Sequence, residues 1–377
     1  MHQEKRLGTL CGIAIVAILI ATLWPFNFFP PNRVSWLPEA NGIRFYGDGV
    51  VVSKSPLLSG ETESGNRSSL EVLLRPAGIK SVHTILSFYA PNNPRQFWVR
   101  QYTDGLLVSR DFVDEQHKVK TVKFDVDHAF KEGKLVLLTM TSGPNGTIVY
   151  LNGSKTQIFS KFTISQSDLA GEIVMGTSPV RYEPWEGEVR GLAIFSKELT
   201  AAEVLRHYRD WIDRGNLPDM DGAVARYDFI EGAGHDIHNA IVSGPDLQIA
   251  KRFVVPHKPF LKPVAREFEP SWNYVEDVAI NIAGFVPLGF IFCAYLGCTR
   301  NRRQAILYSI VAGGILSFII EVLQAYIPQR YSGTTDIITN TCGAALGAVL
   351  ARPGVVRTIL GKTESILAHK NSISNQD

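Results

Sequence analysis

Residues 277–284 read Asp277-Val278-Ala279-Ile280-Asn281-Ile282-Ala283-Gly284, and residues 336–343 read Asp336-Ile337-Ile338-Thr339-Asn340-Thr341-Cys342-Gly343. Both have the form D-x-x-x-N-x-x-G, and spacings of four and three put each trio along one face of a helix. Each copy opens an apolar stretch, 275–297 and 337–351. A third stretch, 305–327, lies between them and carries Glu321 and Gln324 near its end. Far upstream, 7–29 is another uncharged run, and roughly 20 apolar residues suffice to cross a bilayer core. Lys5 and Arg6 precede that run, no small-x-small site follows it, and Trp24, Phe26, Phe28 and Phe29 form an aromatic belt. It therefore reads as an uncleaved anchor. The stretch 337–351 is short for a span, so its first turn is expected near water.

Positive charge sets the direction. Arg300, Arg302 and Arg303 fill the tight loop between two stretches, and Arg352, Arg357 and Lys362 follow the last. Both clusters belong in the cytoplasm with the N-terminus, which puts the middle of the chain and the loop 328–335 outside. The two D-x-x-x-N-x-x-G motifs then sit at similar depth. Glu321, six residues before Ile327, lies roughly 9 Å below the outer end of its helix. Asp277, Asn281, Glu321, Gln324, Arg330, Asp336 and Asn340 thus converge near the outer leaflet, as one candidate polar site. A carboxylate at that depth is costly unless paired, protonated or facing a wet cavity. Arg330, with its planar fork, suits a carboxylate or a phosphate. A structural reading stands beside this one: first-turn acids favour the helix dipole, and the asparagines can join helices. The glycines, extended by Gly347, allow close helix approach.

The middle of the 377-residue chain is different. Short β-branched or alternating runs (43–52, 69–74, 84–88, 97–101, 106–109, 135–141) are separated by Gly, Pro and Asn. Asn145-Gly146 and Asn152-Gly153 suit type I′ turns. Thr200 and Glu203 form a capping box for a helix over 201–211. The pattern predicts an antiparallel sandwich. The four cysteines (Cys11, Cys293, Cys298, Cys342) all fall in or beside the apolar segments, so this region has no disulfide framework. Lys plus Arg (38) nearly balance Asp plus Glu (36), which offers no charge argument for nucleic acid, and no such partner is expected. Trp98, Tyr182 and Trp185 are candidate sugar-stacking residues, although aromatic packing of a sandwich core or its rim is the favoured reading. Glu186 and Glu188 alternate onto one strand face, but they fall in the strand that ends the domain, and hydrolysis there is not expected.

Two resemblances sharpen the picture. Val149-Tyr150-Leu151-Asn152-Gly153-Ser154-Lys155 resembles the "LYVNGK" hairpin of laminin-G-like domains, in the concanavalin A-like lectin/glucanase superfamily. The run from Trp185-Glu186-Gly187 to Leu199-Thr200-Ala201-Ala202-Glu203-Val204 resembles that family's ending. Ala225-Arg226-Tyr227-Asp228-Phe229 is similar to its opening strand, displaced to the end, where it could close the sandwich. This resemblance implies a jelly roll and carbohydrate or protein binding. Separately, Leu23-Trp24-Pro25-Phe26, Asp277…Asn281-Ile282-Ala283-Gly284, Glu321-x-x-Gln324 and Arg330-x-Ser332-x-x-x-Asp336 look like the VanZ-like family. That resemblance implies a bacterial envelope protein and a link to resistance against the glycopeptide teicoplanin or to envelope polysaccharide assembly.

The expected fold is a multidomain membrane protein, with a four-helix transmembrane bundle plus an all-β antiparallel jelly-roll sandwich. Its parts are a cytoplasmic N-terminus and first helix (1–31), the extracytoplasmic sandwich (32–255), a linker (256–274), VanZ-like helices (275–352) and a cytoplasmic tail (353–377). Membrane lipid and an envelope glycan or lipid-linked glycan are the expected partners. No cofactor pattern and no metal set is read. Three functions stay open: binding a glycan or glycolipid at the inner membrane of a bacterium; an enzyme using Glu321, Asp336 and Arg330 on a lipid-linked phosphate or glycan; or a purely anchoring bundle.

Overall fold

A computed structural model describes residues 2–57, 66–79, 82–91, 96–113, 119–218, 221–268, 270–356 and 358. Lys362 and the tail expected over 353–377 lie mostly outside them. Helix α1 (His2–Leu23) precedes strands β1 (Val34–Trp36), β2 (Ile43–Tyr46), β3 (Val51–Ser53), β4 (Ser68–Pro76), β5 (Val82–Tyr89), β6 (Gln96–Tyr102), β7 (Gly105–Val113) and β8 (Val119–Val126). Strands β9 (Val136–Gly143), β10 (Gly146–Leu151), β11 (Ser154–Phe159), β12 (Glu172–Met175) and β13 (Glu186–Phe195) lead to helix α2 (Ala201–Arg214). Strands β14 (Ala223–Tyr227), β15 (Asp236–Ile237) and β16 (Leu247–Ile249) follow, then helices α3 (Val264–Glu267), α4 (Trp272–Leu296), α5 (Arg302–Ala325) and α6 (Thr334–Leu350). The chain divides into two compact units: Phe29–Lys258, and the segments up to Phe28 and from Pro259 onward.

The first unit is an antiparallel jelly-roll sandwich. One sheet runs β1-β2-β13-β4-β9-β10-β11, with β14 also on β13, and the other runs β15-β16-β3-β12-β5-β6-β7-β8. Alternation along each strand sends Leu70, Val72 and Leu74 of β4, and Phe97 and Val99 of β6, into one core between the sheets. The turn at Gly47–Gly49 carries the chain from β2 in one sheet to β3 in the other. The strand that resembles a displaced opening does close on β13, with Tyr227 opposite Leu192.

Asn152 and Gly153, with φ of 52° and 76°, form the left-handed pair a type I′ turn needs. The other expected type I′ turn does not form. Its loop is centred on Pro144 and Asn145, and the proline ring fixes a negative φ that type I′ forbids, so only Gly146 is left-handed (φ 105°).

Helix α2 starts at the expected capping box, Thr200 with Glu203. Burial disfavours the Glu203 charge, but the Thr200 backbone N–H and the Lys197 ammonium outweigh it and hold the carboxyl down at about 2. The helix buries Val204, His207 and Trp211 against the outer face of the first sheet, beside Leu73, Leu137 and Phe195. Gly191 makes that possible, because a Cβ there would stand 2.4 Å from the Trp211 ring.

The second unit is helical. Gln3–Leu23, Trp272–Leu296 and Arg302–Ala325 are long and apolar enough to cross a membrane. This corrects the expected four-helix transmembrane bundle to three candidate spans among the described residues. The fourth, α6, has 17 residues, opens with polar Thr334, Thr335 and Asp336, and stops before Pro353. Ser271 caps α4 by accepting from the Tyr274 N–H, and Asn301 caps α5 by accepting from the Gln304 N–H. Leu23, Phe285, Leu288, Ile320, Ile327 and Ala344 form the core that joins α1, α4, α5 and α6.

Helices α4 and α6 touch backbone to backbone. A Cβ on Gly289 would lie 2.0 Å from the Ala344 carbonyl oxygen, one on Gly343 2.2 Å from that of Ile282, and one on Gly347 2.0 Å from that of Val286. No side chain fits at these points. Gly347→Leu is therefore expected to destabilise the helical unit by roughly 2 kcal/mol or more through overpacking. Thermal unfolding in detergent checks this; an unchanged melting temperature would contradict the packing.

Candidate functional site

The two asparagines of the repeated motif do different work. Asn281 donates through Nδ2 to Asp336 Oδ1 at 2.7 Å, joining α4 to α6. Asn340 donates to Ser317 Oγ at 3.0 Å, joining α6 to α5. Its Oδ1 is buried and accepts no hydrogen bond. Asp277 is exposed, about one helical turn before Asn281, and Asp336 is half-buried.

The two motif glycines also diverge. Gly343 is filled by the α4 backbone, whereas nothing lies within 4 Å of a Cβ built on Gly284. That open space belongs to a pocket of about 500 Å³ lined by Asp277, Asn281, Gly284, Gln324, Arg330, Asp336 and Asn340, with Ile18, Ile280 and Phe285 among its apolar walls. Six of the seven residues expected at the polar site thus line one cavity. Polar residues on a wall otherwise apolar mark a ligand-sized recess.

Glu321 is the exception. It is fully buried and accepts the Gly333 N–H at 2.7 Å, so it holds the turn between α5 and α6 and does not line the cavity. The expected Arg330–carboxylate pair is also absent among the described residues. Instead Arg330 donates from Nε and Nη2 to the Trp24 carbonyl, at 3.0 and 2.8 Å. Gln324 Nε2 donates to the Thr22 carbonyl at 2.9 Å. Both side chains therefore tie the end of α1 to the cavity wall and satisfy carbonyls that a helix end leaves unpaired.

Glu267 was not legible in the sequence. It sits in α3, within what reads as a linker, and its carboxylate accepts from the Thr335 N–H (2.9 Å) and from the Thr335 hydroxyl. Gly333 gives α6 no side-chain cap, so Glu267 supplies one from a distance and places negative charge at the helix N-terminus. Lys262 pairs its backbone with Ser332 and Thr334 to hold the same turn.

In the sandwich, two of the three proposed sugar-stacking residues are buried side chains. Trp185 is 0% exposed, donates to Gln101 Oε1 at 2.8 Å and packs on Phe45. Trp98 is 2% exposed beneath the Arg100 guanidinium, 4.8 Å from its ring centre. Neither offers a ring face to a sugar. Tyr182 is half-buried and donates to Asp48 Oδ1 at 2.7 Å. Glu186 is exposed, whereas Glu188 is buried among Arg44, Arg75 and Arg190. Burial opposes the Glu188 charge, but those guanidiniums hold its carboxyl below the ordinary carboxylate range, which suits an ion pair and not a proton donor.

A membrane-associated chain with a lectin-like sandwich is the class these features define. Residues 241–357 match the VanZ/LLP1 family model. Residues 64–205 match the model described as the concanavalin A-like lectin/glucanases superfamily, of the laminin G type. The chain therefore combines a VanZ-like helical region, whose match spans α4–α6 and not α1, with an inserted laminin-G-like domain. No curated protein matches it. Among solved structures, it is similar to a candidate carbohydrate-binding protein from Bacteroides ovatus (13% identity, 58% of each chain, TM-score 0.36). It is also similar to the botulinum neurotoxin serotype D binding domain (18% identity, 55% of this chain and 49% of that one, TM-score 0.36). The chain spans about half the length of these structures, and at such TM-scores the likeness carries no weight for function.

Glu267→Ala should destabilise the start of α6 by about 1 kcal/mol. Hydrogen exchange of the amides at 333–337 in detergent would show faster exchange there and no change in α2. Equal protection in the variant would remove Glu267 from the site's framework.

Proposed function

We propose that this is a bacterial inner-membrane protein that engages a lipid-linked headgroup in the cavity at the outer ends of its helices. Its lectin-like domain binds an envelope glycan on the same side. In this reading both termini are cytoplasmic, and Phe29–Lys258 is extracytoplasmic. Arg300 in the loop after α4, Arg302 and Arg303 in the first turn of α5, and Arg352 after α6 support that direction. Helix α6, at about 25 Å, falls short of a core about 30 Å thick, which leaves Asp336 at the wet interface.

The observation that carries the reading is the cavity itself. Six polar side chains from two helices, a helix end and a turn face one recess at the end of an apolar helical unit. Charged groups at membrane depth face a cavity or a partner because lipid cannot solvate them. The lectin-like match supports the glycan half of the reading, and envelope polysaccharide assembly or tolerance of lipid-tailed glycopeptides is the process it would serve. The geometry disfavours an enzyme based on Glu321, since that carboxylate is engaged with the Gly333 N–H and removed from the cavity.

Gly284→Leu tests this directly. A leucine there meets no neighbour within 4 Å of its Cβ, improves helix propensity and fills the recess. In a deletion strain, wild type should restore envelope polysaccharide and glycopeptide tolerance. The variant, expressed and melting normally, should not. Full restoration by Gly284→Leu would refute a role for the cavity.

A further inference from the structure

The cavity carries both signs of charge without pairing them internally. The fork of Arg330 is anchored on a neutral carbonyl, that of Trp24, and no carboxylate forms an ion pair with it among the described residues. Asp336 has one oxygen on Asn281, leaving the other oxygen of its carboxylate for a further donor. Asp277 lines the same recess with no hydrogen-bond donor among the described residues. The buried, unpartnered Oδ1 of Asn340 adds an acceptor beside the acids. Three acceptors thus await hydrogen bonds, while a separate guanidinium awaits an anion.

Resting on the cavity reading above, we infer that the ligand is a zwitterion: a phosphate bound by Arg330 and a primary ammonium bound by Asp277, Asp336 and Asn340 Oδ1. A guanidinium matches a phosphate's oxygens with charge-assisted hydrogen bonds. A primary ammonium brings three donors and no acceptor, which matches two carboxylates and an amide oxygen. An anionic headgroup bearing only hydroxyls would meet repulsion from the two acids. Opposed charges kept apart in one recess are complementary to a ligand that carries both signs and bridges them. The class is therefore an aminoalkyl phosphate, as in phosphatidylethanolamine; the same chemistry occurs in free phosphoethanolamine.

The test uses the full chain in detergent, with binding read by tryptophan fluorescence and native mass spectrometry. The probes are dihexanoyl-phosphatidylethanolamine, dihexanoyl-phosphatidylglycerol and soluble phosphoethanolamine. Wild type should prefer the ethanolamine lipid by at least about tenfold, the scale of one good polar contact. Asp277→Asn, an exposed change, and Asp336→Asn should erase that preference without weakening phosphatidylglycerol binding. Competition by phosphoethanolamine would assign recognition to the headgroup alone; its failure to compete would assign the site to the lipid form, and either supports the zwitterion. If both lipids bind equally and Gly284→Leu abolishes both, the cavity reading survives and the zwitterion inference falls. If Gly284→Leu changes neither, the cavity reading itself fails.

Discussion

The contact on which the helical unit depends is the backbone-to-backbone approach of α4 and α6 at Gly289, Gly343 and Gly347. In a lipid environment, apolar side chains gain little by leaving their surroundings, so close packing of small residues and buried hydrogen bonds hold helices together. That approach brings Asn281 within hydrogen-bonding distance of Asp336 and sets the two D-x-x-x-N-x-x-G motifs on facing walls. Ser317 and Asn340 then tie α5 to α6. With three glycines spent on contact, the fourth, Gly284, has a different consequence: its missing side chain is cavity volume.

The turn between α5 and α6 is held by groups from three directions. Glu321 receives the Gly333 N–H from below, Glu267 caps α6 from α3, and the Lys262 backbone pairs with Ser332 and Thr334. Arg330, just before this turn, reaches the end of α1 at Trp24. Glu321 and Glu267 thus serve position, while Asp277 and Asp336 remain in the recess. The same economy governs the sandwich. Glu71 is fully buried beneath α2, where it accepts from Thr139 and Trp211 and faces His207 Nδ1 at 3.1 Å. Glu188 is locked among three arginines. Glu71 and Glu188 are thus satisfied by fixed partners, which suits a structural role.

Much of this was legible because it depends on local pattern. The capping box at Thr200 and Glu203, the Asn152-Gly153 turn and the long apolar helices follow from a few adjacent residues. The convergence of six polar residues followed from helix spacing and charge direction. What failed depended on contacts between distant segments. Nothing near Arg330 announces that its fork will anchor on Trp24, some 306 residues away in the chain. Glu267 looks like a linker residue because its partner lies beyond two long helices. Glu321 reads as a cavity acid until the Gly333 N–H is seen to claim it. Trp98 and Trp185 show the limit of composition: the row Val174–Ser87–Trp98–Ser109 crosses the face opposite the main core, yet the Arg100 guanidinium stands over it. The shortness of α6 was visible, but its reason, a polar first turn held by Glu267, was not.

A lipid-linked headgroup site requires that the cavity open on the outer side of the membrane. Tyr331, at its rim, and native Cys298, in the turn after α4, are both exposed. Intact cells would be treated with a membrane-impermeant maleimide, comparing wild type with Tyr331→Cys in a Cys298→Ser background. The account predicts that the cysteine at 331 is labelled in intact cells and Cys298 only after lysis. Labelling of Cys298 from outside, with protection at 331 until lysis, would invert the topology and contradict an outward-facing headgroup site.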